Sequence, residues 1–190
     1  MLKCLEKHPD DRYQGVTELV DAFRDAAGGA GADQAPTVET VEAVAIYIDA
    51  RVEGGMQGAG DDAVMDDLMT IQDVADEIFR EAGYEIPLVT GTSVLGALIL
   101  DEESDRPDEC AGAIELAEDI LAAIDEREDG DDRVHVNVTA HIGQATATTS
   151  GSKKEVSGGD LLDLVKWAPQ QNVEGVFVTP ELDAEAPDED

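Results

Sequence analysis

Basic residues are scarce. Twelve Lys and Arg stand against 45 Asp and Glu in 190 residues, a formal net charge of −33 at pH 7. A surface of that sign repels phosphate backbones and anionic lipid, which argues against nucleic-acid and membrane-surface roles. It is the solvated acidic surface expected of a salt-adapted, halophilic protein, in preference to a recognition surface for one basic partner. Cysteine is nearly absent, and Cys4 and Cys110 have no Cys or His at metal-ligand spacing, so neither a disulfide nor a zinc site is implied. His8, His135 and His141 are scattered likewise, and the two on strands are expected to be surface or partly satisfied residues. No apolar run reaches the roughly 18 to 20 residues of a membrane span, and the N-terminus lacks the apolar stretch of a signal peptide. The expectation is a soluble, cytoplasmic chain, long enough for one domain with a real core and an appendage.

What the chain does contain is a readable succession of elements. Val41 to Asp49 becomes continuously apolar from Ala43, as a central strand covered on both faces does. A Gly-rich loop follows, with Gly54, Gly55, Gly58 and Gly60; it lacks the Gly-Lys-Ser/Thr ending of a P-loop and is expected to be mobile. Asp61 caps a helix whose apolar residues from Val64 to Phe79 recur at helical spacing, and Gly83 ends it. Tyr84 to Val89, a turn at Thr90-Gly91 and Val94 to Leu100 make a hairpin. Pro107 starts a long helix with Cys110, Ala113, Ala117, Ile120 and Ile124 on one face and acidic residues on the other.

Beyond a charged turn at 126–132, Val134 to Ile142 alternates strictly with His135, Asn137, Thr139 and His141, the pattern of a strand with one buried face. A second strand is expected over Gln144 to Thr149, a polar connection over Gly151 to Lys154, a helix over Leu161 to Ala168 opened by Gly159-Asp160, and a short strand over Val176 to Val178.

Ala140-His141-Ile142-Gly143 and Gly159-Asp160, in this order of elements, resemble the class III adenylate/guanylate cyclase catalytic domain, whose corresponding strand ends in Ile-His-x-Gly and whose last helix opens on Gly-Asp. The resemblance covers about 140 residues and implies an α/β (α+β) sandwich related to the ferredoxin-like arrangement. It also implies where a catalytic site belongs. Asp49, ending the first strand, stands where the family has a metal-binding Asp. The second metal Asp, immediately after the hairpin Gly, is replaced by Thr92. The Asn that orients the ribose and the Arg that stabilises the transition state fall at Asp163 and Trp167. The base-selecting positions fall at Leu88 and near Val156. Cyclisation of a nucleoside triphosphate needs two converging carboxylates to hold two Mg²⁺ or Mn²⁺ ions on the α-phosphate and the attacking hydroxyl, and of these only Asp49 remains. Thr92 offers a neutral oxygen, which holds a hard dication far less firmly. Asp163 repels triphosphate, and an indole does not replace a guanidinium.

The resemblance therefore implies a degenerate cyclase domain with no cofactor and no catalytic residue of its own, Asp49 being vestigial. Such a domain acts in signalling by dimerising with itself or with another cyclase-like chain. The alternative is a divergent active cyclase using Mg or Mn, alone or completed by a partner.

Residues 1–27 resemble the last helices of a protein Ser/Thr kinase domain, through Cys4-Leu5 followed by Pro9 and Arg12 and then an amphipathic helix with Val16, Leu19, Val20 and Phe23. The Gly-rich loop, ATP lysine and catalytic Asp of a kinase are missing, so this segment cannot phosphorylate. The expected organisation is a kinase remnant over 1–27, a Gly/Ala-rich linker over 28–37, the cyclase-like domain over 38–183 and an acidic disordered tail over 184–190.

Overall fold

The computed structural model describes residues 37–54, 61–101, 103–126, 131–173 and 175–186. The expected kinase remnant over 1–27, the expected linker up to residue 36, the Gly-rich stretch 55–60 and residues 187–190 lie outside them. Residues 38–149 and 153–190 form one compact unit, whereas 150–152 group with 1–37 in another.

The elements in chain order are β1 (Thr37–Val52), α1 (Asp62–Glu81), β2 (Glu85–Val89), β3 (Ser93–Leu100), α2 (Arg106–Asp125), β4 (Val134–Ser150), β5 (Lys153–Gly158), β6 (Val176–Val178) and α3 (Pro180–Asp183). Two 3₁₀ turns, Asp160–Leu162 and Leu164–Lys166, join β5 to the segment before β6. The sheet runs β2-β3-β1-β4-β5, with β6 parallel to β4. Beside β1, β3 is antiparallel, with Glu42 opposite Leu100 at one end and Asp49 opposite Ser93 at the other. No helix among the described residues is long and apolar enough to cross a membrane.

The two long helices form where the sequence predicts. The Asp61 carboxylate accepts the Ala63 N–H and caps α1, and Gly83, at φ 78°, ends it. Val64, Leu68, Ile71, Ala75 and Phe79 then share one buried face of α1, and Cys110, Ala113, Ala117, Ile120 and Ile124 one face of α2. Both faces pack on Val44, Ile46 and Ile48 of β1 and on Val138, Ala140 and Ile142 of β4, which is the main core. Gly96 on β3 lies beneath the Phe79 ring, where a Cβ would overlap it.

The opposite face of the sheet is covered differently. Ala43, Ala45, Leu95, Ala97, Ala145 and Val156 line it, and Leu161 with its neighbours Leu162, Leu164 and Trp167 packs on them. This face carries the site.

The structure departs from the expected elements between 143 and 168. A single strand, β4, spans Val134–Ser150 where two are expected. Gly143 lies inside it, and a Cβ there would come within 2.8 Å of His141 Nε2, so glycine leaves room for an imidazole folded back along its own strand. Residues 153–158 form β5, so Lys153 and Lys154 of the expected connection Gly151 to Lys154 belong to a strand. In place of an α-helix over Leu161 to Ala168 there are the two 3₁₀ turns, separated by Asp163 at φ −88° and ψ 69°. Leu161, Leu164 and Trp167 recur every third residue, the spacing of 3₁₀ turns, and all three pack on the sheet. Gly159 fixes the start, at φ 95° and so close to β4 that a Cβ would meet the Thr146 backbone N at 2.7 Å.

Candidate functional site

Asp49 and Thr92 are brought together by the register of β1 and β3, since the Ala50 N–H donates to the Thr92 carbonyl at 2.8 Å. The Thr92 side chain is exposed, and its place in the turn is set by the Thr90 N–H donating to the Ser93 carbonyl and the Thr92 N–H to Thr90 Oγ1. The residue of the turn and β3 that reaches the Asp49 carboxylate is instead Ser93, directly opposite it in the ladder.

Both Asp49 oxygens have protein donors. Arg51 Nε donates to Oδ2 at 2.8 Å, and Ser93 Oγ to Oδ1 at 3.3 Å. Tyr47 O–H donates in turn to Ser93 Oγ at 3.1 Å. Tyr47, Asp49 and Arg51 alternate along β1, so they share one face, the one opposite the helices. Burial pushes the Tyr47 phenol above its ordinary range, with Asp49 adding to the effect, while the Ser93 hydrogen bond and Arg51 oppose it. Arg51 has a second attachment, from Nη2 to the Pro169 carbonyl at 2.6 Å, which ties β1 to the segment after the 3₁₀ turns.

Trp167 lies over this face. Its ring stacks on His141 at 4.6 Å between centroids and 13° between planes, meets Tyr47 edge-on at 6.0 Å, and its Nε1 donates to the Leu161 carbonyl at 3.2 Å. His141, 8% exposed, has Nδ1 3.0 Å from Thr179 Oγ1. Burial lowers its pKa below the ordinary value of 6.5, against a weaker upward pull from Glu181. Next along β4, Asn137 Oδ1 accepts the Val173 N–H at 2.9 Å. Residues 167–173 are thus held on the sheet by a ring stack, a guanidinium and an amide.

The remaining predicted positions separate by environment. Leu88 and Val156 join Trp167 in the apolar cluster on this face, and the Val156 N–H donates to Glu85 Oε2 at 3.1 Å. Asp163 is exposed and does not join the group; its carboxylate lies 3.2 Å from Lys166 Nζ, which also bonds Asp160 at 2.7 Å.

A pair of divalent cations does not fit these residues. Asp49 has its two oxygens on a guanidinium and a hydroxyl, Thr92 supplies no charge, and among the described residues no three His, Cys, Asp or Glu are grouped to hold a metal ion. Nor is a triphosphate well served, since the place implied for the transition-state Arg holds an indole packed on an imidazole.

Reading the sequence leaves out Arg51, Ser93, Tyr47 and His141 as members of this group. A signal for Arg51 is present, because a cation two residues from an acid on a strand shares its face. For Ser93 it is the register, which one strand alone does not disclose.

No protein-family model matches the chain, and no curated protein sequence matches it. Solved structures do. The adenylyl cyclase CyaB from P. aeruginosa superposes with a TM-score of 0.59 at 12% identity, over 78% of this chain and 82% of that one. The guanylate cyclase domain of RhGC from Catenaria anguillulae, solved with GTP, gives 0.56 at 15%, over 77% and 83%. A non-canonical dimeric guanylyl cyclase domain of the RhoGC fusion protein from Blastocladiella emersonii gives 0.53 at 15%, over 80% and 86%. The fold is that of class III nucleotide-cyclase catalytic domains.

Proposed function

We propose that this chain is a signalling or regulatory module: a cyclase-like domain without cyclase chemistry, joined to a kinase-like segment and acting by pairing with a second copy or with another cyclase-like chain. The observation that carries the reading is the Asp49 carboxylate, whose two oxygens are taken by Arg51 and Ser93. A permanent cation on the same strand neutralises the acid that a mobile dication would otherwise need. Losing one preorganised charge-stabilising group commonly costs on the order of 10² to 10³ in rate. Here the places that the resemblance implies for the second metal Asp, the ribose-orienting Asn and the transition-state Arg hold Thr92, Asp163 and Trp167.

Pairing finds support in the dimeric guanylyl cyclase domain that shares the fold. It does not draw on Trp167 as an interface anchor, because that indole is engaged by His141 and Tyr47 of its own chain. Val165, in the same segment and 79% exposed, is the apolar group presented outward.

Incubation of the purified chain with Mn²⁺ or Mg²⁺ and ATP or GTP tests the reading. The expected result is no cyclic nucleotide above a protein-free blank. Product that disappears on Asp49→Ala would replace this reading with the divergent active cyclase.

A further inference from the structure

Among the described residues, the large apolar side chains left exposed are Val38, Met65, Met69, Val89 and Val165. Three of these belong to one surface. Met65 and Met69, 46% and 51% exposed, follow each other at i, i+4 on α1. Gln72, Asp76 and Arg80 continue the same stripe at helical spacing. Gln72 Nε2 donates to the Thr90 carbonyl at 2.7 Å, which sets the stripe alongside the end of β2, where Val89 is 58% exposed. Asp76, Arg80 and Val89 line a groove of about 620 Å³, floored by Tyr84, Ile86 and Pro87. The C-terminal half of the stripe thus lines a partly apolar trough, and the methionines precede it on the same helix face.

The rim of this surface is acidic. On the helix, Met65 and Met69 have Asp62, Asp66 and Asp73 as their i±3 and i±4 neighbours or next to them in sequence, all exposed. Inside the groove Arg80 is paired with Asp76 and Lys153 with Glu155, so neither cation offsets that rim. Adaptable thioethers inside a carboxylate rim suit a helix with apolar residues on one face and Lys or Arg beside them. A strand is the poorer occupant. β2 is an edge of the sheet, but Pro87 lacks the N–H that strand addition needs there.

We propose that the α1 stripe and the β2 groove form a docking surface for a basic amphipathic helix of a partner protein. Its apolar residues would lie on Met65, Met69 and Val89, and its cations against Asp62, Asp66 and Asp73. The stripe from Met65 to Arg80 spans about four helical turns, roughly 22 Å, which sets the length of helix it accepts. This surface borders the Thr90–Ser93 turn and shares Val156 with the apolar cluster of the other face, but it uses neither Asp49 nor Arg51 and does not depend on whether that site is catalytic.

The test is fluorescence anisotropy of a labelled four-turn peptide with Leu at i, i+3, i+4 and i+7 and Lys elsewhere, titrated with the full chain at fixed KCl. A scrambled peptide of the same composition measures attraction to the net charge alone. The amphipathic peptide is expected to bind about tenfold or more tightly than the scramble, and the exposed double substitution Met65→Ser/Met69→Ser to remove that difference while leaving the unfolding midpoint in place. Equal binding of the two peptides, or unchanged preference in the double variant, overturns the proposal. A dimer of the chain alone that the double variant dissociates overturns it too, by making a second copy the occupant.

Discussion

At the scale of single residues, Arg51 decides the character of the site. It is 27% exposed beside an Asp49 carboxylate 20% exposed, and it reaches the Pro169 carbonyl with its other end. Hydrogen bonds to charged groups contribute about 1.5 to 3 kcal/mol, and an acid left without its cation adds a desolvation cost. Arg51→Ala is therefore expected to lower stability by about 2 kcal/mol in urea unfolding at molar KCl. An unchanged midpoint would mean that water and Ser93 serve Asp49 equally well. The fate of the other predicted positions follows from the same local chemistry: Leu88 and Val156 are apolar and go to the apolar cluster, and Asp163 stays in water with Lys166.

At the scale of elements, the segment from Gly159 to Val173 separates this domain from what its sequence promises. Its hold on the sheet includes a neutral imidazole. His141 faces Trp167 above, Thr179 Oγ1 beside it, and Glu181 of α3 as the nearby acid. Because burial lowers its folded pKa below 6.5, the unfolded chain binds the proton more readily. The stabilising contribution is complete above pH 6.5 and is lost as pH falls from there through the folded value. Fluorescence of Trp167, the single Trp in the chain, should shift over that interval together with a falling unfolding midpoint, and His141→Gln should remove both changes. A shift that persists in the variant would assign it to the carboxylates.

The strands and long helices of this domain are legible because each has a period: alternation in Val134 to Ile142, helical recurrence in Val64 to Phe79. The region from Gly143 to Ala168 is not, for two reasons. Glycine at 143 reads as a strand end although its use is to accommodate His141. A three-residue recurrence also fits a short α-helix until the packing of Leu161, Leu164 and Trp167 on one face is known. The candidate site is half legible. Asp49 and Thr92 can be placed from motif and order, but of the partners that occupy Asp49 only Arg51 lies on its own strand, and Ser93 comes from the β1–β3 register, which one strand alone does not disclose.

At the scale of the whole molecule, charge dominates. Every Arg and Lys among the described residues has a carboxylate partner, and exposed pairs of this kind contribute little. The 45 acids against 12 bases leave a large excess repelling itself in the folded state. Salt shortens the range of that repulsion from roughly 30 Å at 0.01 M to about 3 Å at 1 M. The thermal midpoint should therefore rise between dilute buffer and molar KCl, and a flat or falling midpoint would show that the ion pairs matter more than the excess.

The central claim is that the cyclase fold is kept while the place of its metal–nucleotide is taken by Arg51 and Trp167. Trp167 itself gives the most direct measurement. Its fluorescence is titrated with Mn²⁺·ATP and Mn²⁺·GTP at molar KCl, a paramagnetic ion at the Asp49 position being an efficient quencher of a ring packed on Tyr47. No saturable quenching beyond that given by free Mn²⁺ is predicted for either nucleotide. Saturable quenching that requires the nucleotide and is lost in Asp49→Ala would contradict the account.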